Sequence, residues 1–155
     1  MPALEDGDHT VFESIAILKY ICDTKLGDTP LYPKDPKKRA KVNEKLSMFN
    51  DFKSEMSMLG GIRFHFKIKG LPAPPELIQK NTADKFFALF DKFEKSIAGK
   101  KTILEDLTIL DIVFVENIFN GYKVLNIDLE KEYPNTNAYV NAVCEQIPSL
   151  RESEK

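Results

Sequence analysis

The chain has 155 residues, 43% hydrophobic and 30% charged, a balance that suits one compact unit or little more. Its formal net charge of -2 gives no basic field of the kind that draws nucleic acid or an anionic membrane, so no nucleic-acid partner is expected. No apolar run is long enough to span a bilayer and no signal-like stretch follows Met1. Cys22 and Cys144 fall inside helical patterns and read as buried thiols of a reducing, cytoplasmic or other intracellular compartment.

In chain order, two short extended runs come first, Pro2 to Leu4 and Thr10 to Phe12. Between them stands Glu5-Asp6-Gly7-Asp8, and Asp-Gly is a strong turn signal, so a hairpin is expected. Ser14 then opens an amphipathic helix with Ile15, Leu18, Ile21 and Cys22 at helical spacing, ended by Gly27. A hairpin and one helix bury too little apolar surface to form a domain alone. Tyr32-Pro33-Lys34-Asp35-Pro36 reads as a linker delivering the next helix, with Asp35 as its N-cap and Pro36 in its first turn. Val42, Leu46, Phe49, Phe52, Met56 and Leu59 make one apolar stripe along that helix. Lys37, Lys38, Arg39 and Lys41 crowd its first turns and read as a solvated face rather than a nucleic-acid patch.

Gly60-Gly61 is expected to stop this helix. The alternation from Ile62 to Lys69 has period two, which fits an edge strand open to a partner or an irregular helix end. Pro74 and Pro75 start a second long helix with Phe86, Phe90, Phe93 and Ile97 inward. Leu107 to Phe119 is apolar on nearly every side, the mark of the central helix of a bundle. Thr108 and Asp111 form the S/T-x-x-D/E arrangement of a capping box, which favours a structural Asp111 over a catalytic one. A last helix begins near Pro134, with Tyr139, Val143 and Ile147 inward, and the charged tail after Pro148 is expected to fray. His9 and His65 lack partners at metal-ligand spacing, so no metal site is expected.

Met1 to Asp8 followed by Phe12-Glu13-Ser14-Ile15-Ala16-Ile17-Leu18-Lys19-Tyr20-Ile21 is similar to the third strand, fourth strand and third helix of glutathione transferases. Leu31 to Pro36 with Arg39-Ala40 resembles their interdomain linker and fourth helix. Asp106 to Ile112 resembles the capped start of their buried sixth helix, and Tyr133-Pro134-Asn135 the start of a later one. The flavour is nearest the theta- and delta-like classes. The resemblance implies a mainly α fold: the transferase C-terminal helical bundle at 36-155, a linker at 29-35, and at 1-28 a β-hairpin plus helix, the remnant of a thioredoxin-like domain. The family's preceding strand-helix-strand-helix is not matched within these residues.

The resemblance also implies a site. Glu13 and Ser14 stand where the family holds the γ-glutamyl end of glutathione, although Ser14 read from the residues alone is equally an N-cap. Pro2 stands at the family's cis-proline, whose preceding residue, here Met1, pairs its backbone with the cysteinyl part of the ligand. The Tyr, Ser or Cys that activates the glutathione thiol in the family has no counterpart here, so catalysis of conjugation is not expected. Two functions follow: a non-catalytic, transferase-like subunit or interaction module of a larger assembly, or part of an active transferase that conjugates glutathione to electrophiles. A protein partner or dimer mate is expected over the open edge of the hairpin.

Overall fold

Two strands and a helix lead into a bundle built on one central, nearly all-apolar helix. The computed structural model describes residues 2-62 and 68-153. Strands β1 (Ala3–Asp6) and β2 (His9–Phe12) pair antiparallel, Ala3 opposite Phe12 and Asp6 opposite His9. Gly7 takes φ +67° in the loop between them, a conformation that glycine adopts without steric cost and that primed hairpin turns demand. Helix α1 (Ser14–Ile21) follows and widens into a π-helical turn, Cys22–Leu26, ended by Gly27 at φ +69°.

The long helices meet the sequence expectations closely. Helix α2 (Pro36–Gly60) begins with the Asp35 carboxylate accepting from the N–H groups of Lys37 at 3.0 Å and Lys38 at 2.8 Å. All six apolar residues of its stripe are buried. Helix α3 (Glu76–Ile97) lies against α2 and contributes Phe86, Phe90 and Ile97 to the core. Helix α4 (Ile109–Leu125) is buried on most of its circumference, with Leu110 and Val115 fully inaccessible. Each such side chain stabilises the fold by roughly 1.5–3 kcal/mol relative to exposure. Phe114 of α4 is the meeting point of the helices, its ring centroid 4.4 Å from Phe49 and 4.7 Å from Phe93.

Three further stretches bear on the sequence expectations. Helix α2 ends at Gly60 as expected, although Gly61 as its C-cap keeps helical angles (φ -58°, ψ -48°), and a Cβ on Gly60 would touch Val124 at 3.4 Å. Gly60 thus also serves close approach to α4, whereas a Cβ on Gly61 would meet nothing within 4 Å. In the tail expected to fray, the described residues Leu150–Ser153 instead form α7, after α5 (Leu129–Glu132) and α6 (Pro134–Gln146). Leu150 is buried and anchors this last helical turn. Finally, the alternating stretch Ile62 to Lys69 falls at positions 63-67 outside the described residues, while Ile68 is helical.

Candidate functional site

The chain leaves β2 at Phe12 and turns sharply at Glu13, which holds φ 70° and ψ 121°. For a residue with a Cβ this conformation costs about 1–3 kcal/mol and persists only where its surroundings impose it. Glu13 is thereby the N-cap position of α1, and its carbonyl accepts the first helical bond from Ile17 N–H at 2.9 Å. Ser14 is one residue further on, inside the first turn. The expectation that Ser14 is an N-cap is therefore corrected: the positive φ at Glu13 shifts the cap by one residue. No side chain caps α1. Ser14 and Glu13 are both exposed.

The register pairing Ala3 with Phe12 brings exposed Pro2 to the same end of the hairpin as Glu13. The structure thus gathers Pro2, Glu13 and Ser14 at one open end. Met1, on which the cis-peptide expectation depends, lies outside the described residues. Chemically, a helix N-terminus with a free hydroxyl attracts a carboxylate, and an adjacent carboxylate attracts an ammonium. The combination suits the zwitterionic head of an α-amino acid.

This end is held in place from the other end of the hairpin. Asp6 accepts from Tyr20 Oη at 3.0 Å and pairs with Lys25 Nζ at 2.6 Å. The hydrogen bond from Lys25, joined by that from Tyr20, holds the Asp6 carboxyl below its ordinary range. The linker is fastened as well. Arg39 lies 4.3 Å from the Tyr32 ring centroid, donates to the Pro33 carbonyl at 2.7 Å, and pairs with Asp23 at 2.7 Å. Arg39 is consequently a fastener between the linker and the π-helical turn after α1 rather than a member of a solvated cationic face. Neither this role nor the strain at Glu13 has a local signal in the sequence.

Two other helix starts are closed by side chains. At α4 the capping box is complete: Thr108 N–H donates to Asp111 Oδ2 at 2.8 Å, and Thr108 Oγ1 accepts from Leu110 N–H at 3.3 Å. Asp111 also accepts from Ile103 N–H at 2.8 Å and Tyr139 Oη at 3.1 Å. Burial pushes its carboxyl above the ordinary value against these donors. At α6 the start is closed by Glu94 of α3, which accepts from the N–H and side chain of both Asn135 and Thr136, at 2.6–2.9 Å. Neither carboxylate is free for catalysis. Cys22 is buried, and burial pushes its thiol up, the opposite of what an attacking thiolate needs. Among the described residues no cluster of His, Cys, Asp and Glu could hold a metal ion, and no helix is long and apolar enough to cross a membrane.

Comparisons with known proteins bear on the same region and on the whole fold. The family of the glutathione S-transferase N-terminal domain matches residues 1–23. Glutathione transferase E6 from Drosophila melanogaster is 30% identical, with a TM-score of 0.74 over 99% of this chain and 67% of that one. Glutathione S-transferase 1-6 from Anopheles dirus species B is 27% identical, with a TM-score of 0.79 over 99% of this chain and 69% of that one. A delta-class glutathione transferase of Nilaparvata lugens is 28% identical, with a TM-score of 0.76 over 98% of this chain and 68% of that one.

Proposed function

The chain belongs to the glutathione transferase family, and from that premise we propose that the start of α1 holds the γ-glutamyl end of glutathione. Ser14 and the leading N–H groups take the ligand carboxylate, and Glu13 takes its ammonium. The observation that carries this reading is the uncapped, exposed start of α1 directly after a residue held at positive φ. Pro2 stands at the same end of the hairpin, on the side where the cysteinyl part of the ligand is proposed to lie. No residue of this chain is assigned the activation of the thiol: Cys22 is buried and the Tyr20 hydroxyl is committed to Asp6.

The role we propose is that of a glutathione-holding, transferase-like subunit, organised as a hairpin-helix piece at 1-28, a linker at 29-35 and a helical domain at 36-155. Among the described residues β1 is paired on its β2 side alone, so its other edge suits a partner protein or dimer mate, including one in a larger assembly. Two buried cysteines suit a reducing, cytoplasmic setting. A second reading, conjugation of glutathione to electrophiles, is favoured by the likeness to named transferases over nearly all of this chain.

Calorimetric titration of the purified chain with glutathione tests the site. Ser14→Ala is expected to weaken binding by about tenfold, the worth of one charge-assisted hydrogen bond. Equal affinity in the variant would remove Ser14 from the site. Conjugation of an aryl halide by the chain alone would establish the second reading and overturn the non-catalytic one.

A further inference from the structure

Between α2 and α3 lies an open groove of about 430 Å³, a volume within the range of small-molecule sites. Its floor is aromatic. Phe93 lies flat on Phe114, with ring centroids 4.7 Å and planes 21° apart, and Phe52 stacks on the same ring at 5.6 Å and 24°. Phe93 and Leu89 are nevertheless only half-buried, and Met48 stands 58% exposed at the lip. All of these side chains line the one groove, so the apolar surface they leave to water is a single concave patch. Stacking on Phe114 holds the Phe93 ring in place, and a ring already held loses little freedom when a flat ligand settles on it.

The rim is cationic. Lys45, Lys92 and Lys100 line the groove against a single acid, Asp51. The Lys45 ammonium leans over the lip, 3.7 Å from Met48 Sδ. Its ion-pair partner, Glu44, is 3.6 Å away and also pairs with Lys41, at 2.6 Å. Among the described residues Lys92 and Lys100 pair with no carboxylate. A neutral apolar occupant would take water from these ammonium groups and return nothing, whereas an acid group beside the apolar part would pair with them. The charge of the rim therefore selects an anion, and the rings of the floor select an aromatic one.

We propose that the α2–α3 groove binds an amphipathic aryl anion, its rings on Phe93, Leu89 and Met48 and its sulfonate or carboxylate at Lys92 and Lys100. The site is separate from the start of α1 and does not depend on glutathione. The test is fluorescence titration of the whole chain with anilinonaphthalenesulfonate and with phenylnaphthylamine, which lacks the sulfonate. The sulfonate is expected to bind about tenfold or more tightly than the neutral dye, with an affinity that falls as salt is added. Lys92→Glu/Lys100→Glu should weaken it about tenfold or more, Lys92→Arg/Lys100→Arg should retain it, and Met48→Glu should weaken it as well. All three positions are exposed, and an unchanged thermal unfolding curve verifies that the variants are folded. Equal binding of the two dyes, or sulfonate binding indifferent to the lysine pair or to Met48→Glu, overturns the proposal. Displacement of the sulfonate by glutathione overturns it too, by moving the dye to the start of α1. So does a self-associated species in sedimentation velocity that Met48→Glu dissociates while no sulfonate binds, since a second copy then fills the groove.

Discussion

The starts of α1 and α4 solve the same problem in opposite ways. Both leave backbone N–H groups without helical partners. At α4 the protein fills the gap itself, with Thr108 and a fully buried Asp111 that also gathers Ile103 and Tyr139. At α1 it fills nothing, and it holds Glu13 in a strained conformation in the open. A helix start closed by its own side chains stabilises the fold and is chemically spent. One left open, with strain beside it, is available to a ligand.

The largest expected effect is at the closed end. Asp111→Ala strands three buried donors and should lower stability by about 3–5 kcal/mol in urea unfolding. A midpoint within error of wild type would abolish the contrast. Glu94→Ala should cost about 1–2 kcal/mol, since it opens the start of α6. Its pH dependence has a definite sign. Burial pushes the Glu94 carboxyl up, but Thr136 and Asn135 outweigh it, so it titrates below its ordinary value of 4.5. A carboxyl with a lowered folded pKa contributes stability that is present above the unfolded value and lost as pH falls through the folded one. Unfolding midpoints followed from pH 4.5 downward should therefore fall more steeply in wild type than in Glu94→Gln. Equal slopes would show that the cap carries no charge-dependent stability.

The open end should respond in the reverse direction. Glu13→Gly relieves the positive φ and should raise stability by about 1 kcal/mol while weakening glutathione binding. A variant that is both less stable and equally avid would mean that Glu13 is structural. Ser14→Ala should change stability by only a few tenths of a kcal/mol, since Ser14 caps nothing. A loss near 1 kcal/mol in thermal unfolding would restore the N-cap role that the strained Glu13 displaces.

These sites differ in how far the sequence reveals them. The caps at Asp35 and Thr108 are legible because both partners lie within three residues, inside one turn. The apolar stripe of α2 is legible because its period is that of the helix itself. Glu94 is not, since its partners lie 41 and 42 residues away and only packing of α3 against α6 brings them together. Arg39 reads as one more surface cation because nothing local marks the Tyr32 ring beneath it. At the candidate site, Glu13 and Ser14 are legible through family resemblance, whereas the backbone strain that shifts the cap is a tertiary fact.

The linker has a consequence for the order in which the molecule comes apart. The Leu31 carbonyl accepts from Ile109 N–H at 2.9 Å, and Tyr32 Oη donates to Asn43 at 3.2 Å, so the linker is fastened to α4 and α2. The hairpin and α1 therefore borrow their anchorage from the bundle, while the bundle core has its own. In native-state hydrogen exchange, the amides of α1 should open in a cheaper, sub-global step, and those of α4 only with the whole fold. Ligand bound at Ser14 should slow the first process and leave the second unchanged until its affinity exceeds the difference between the two.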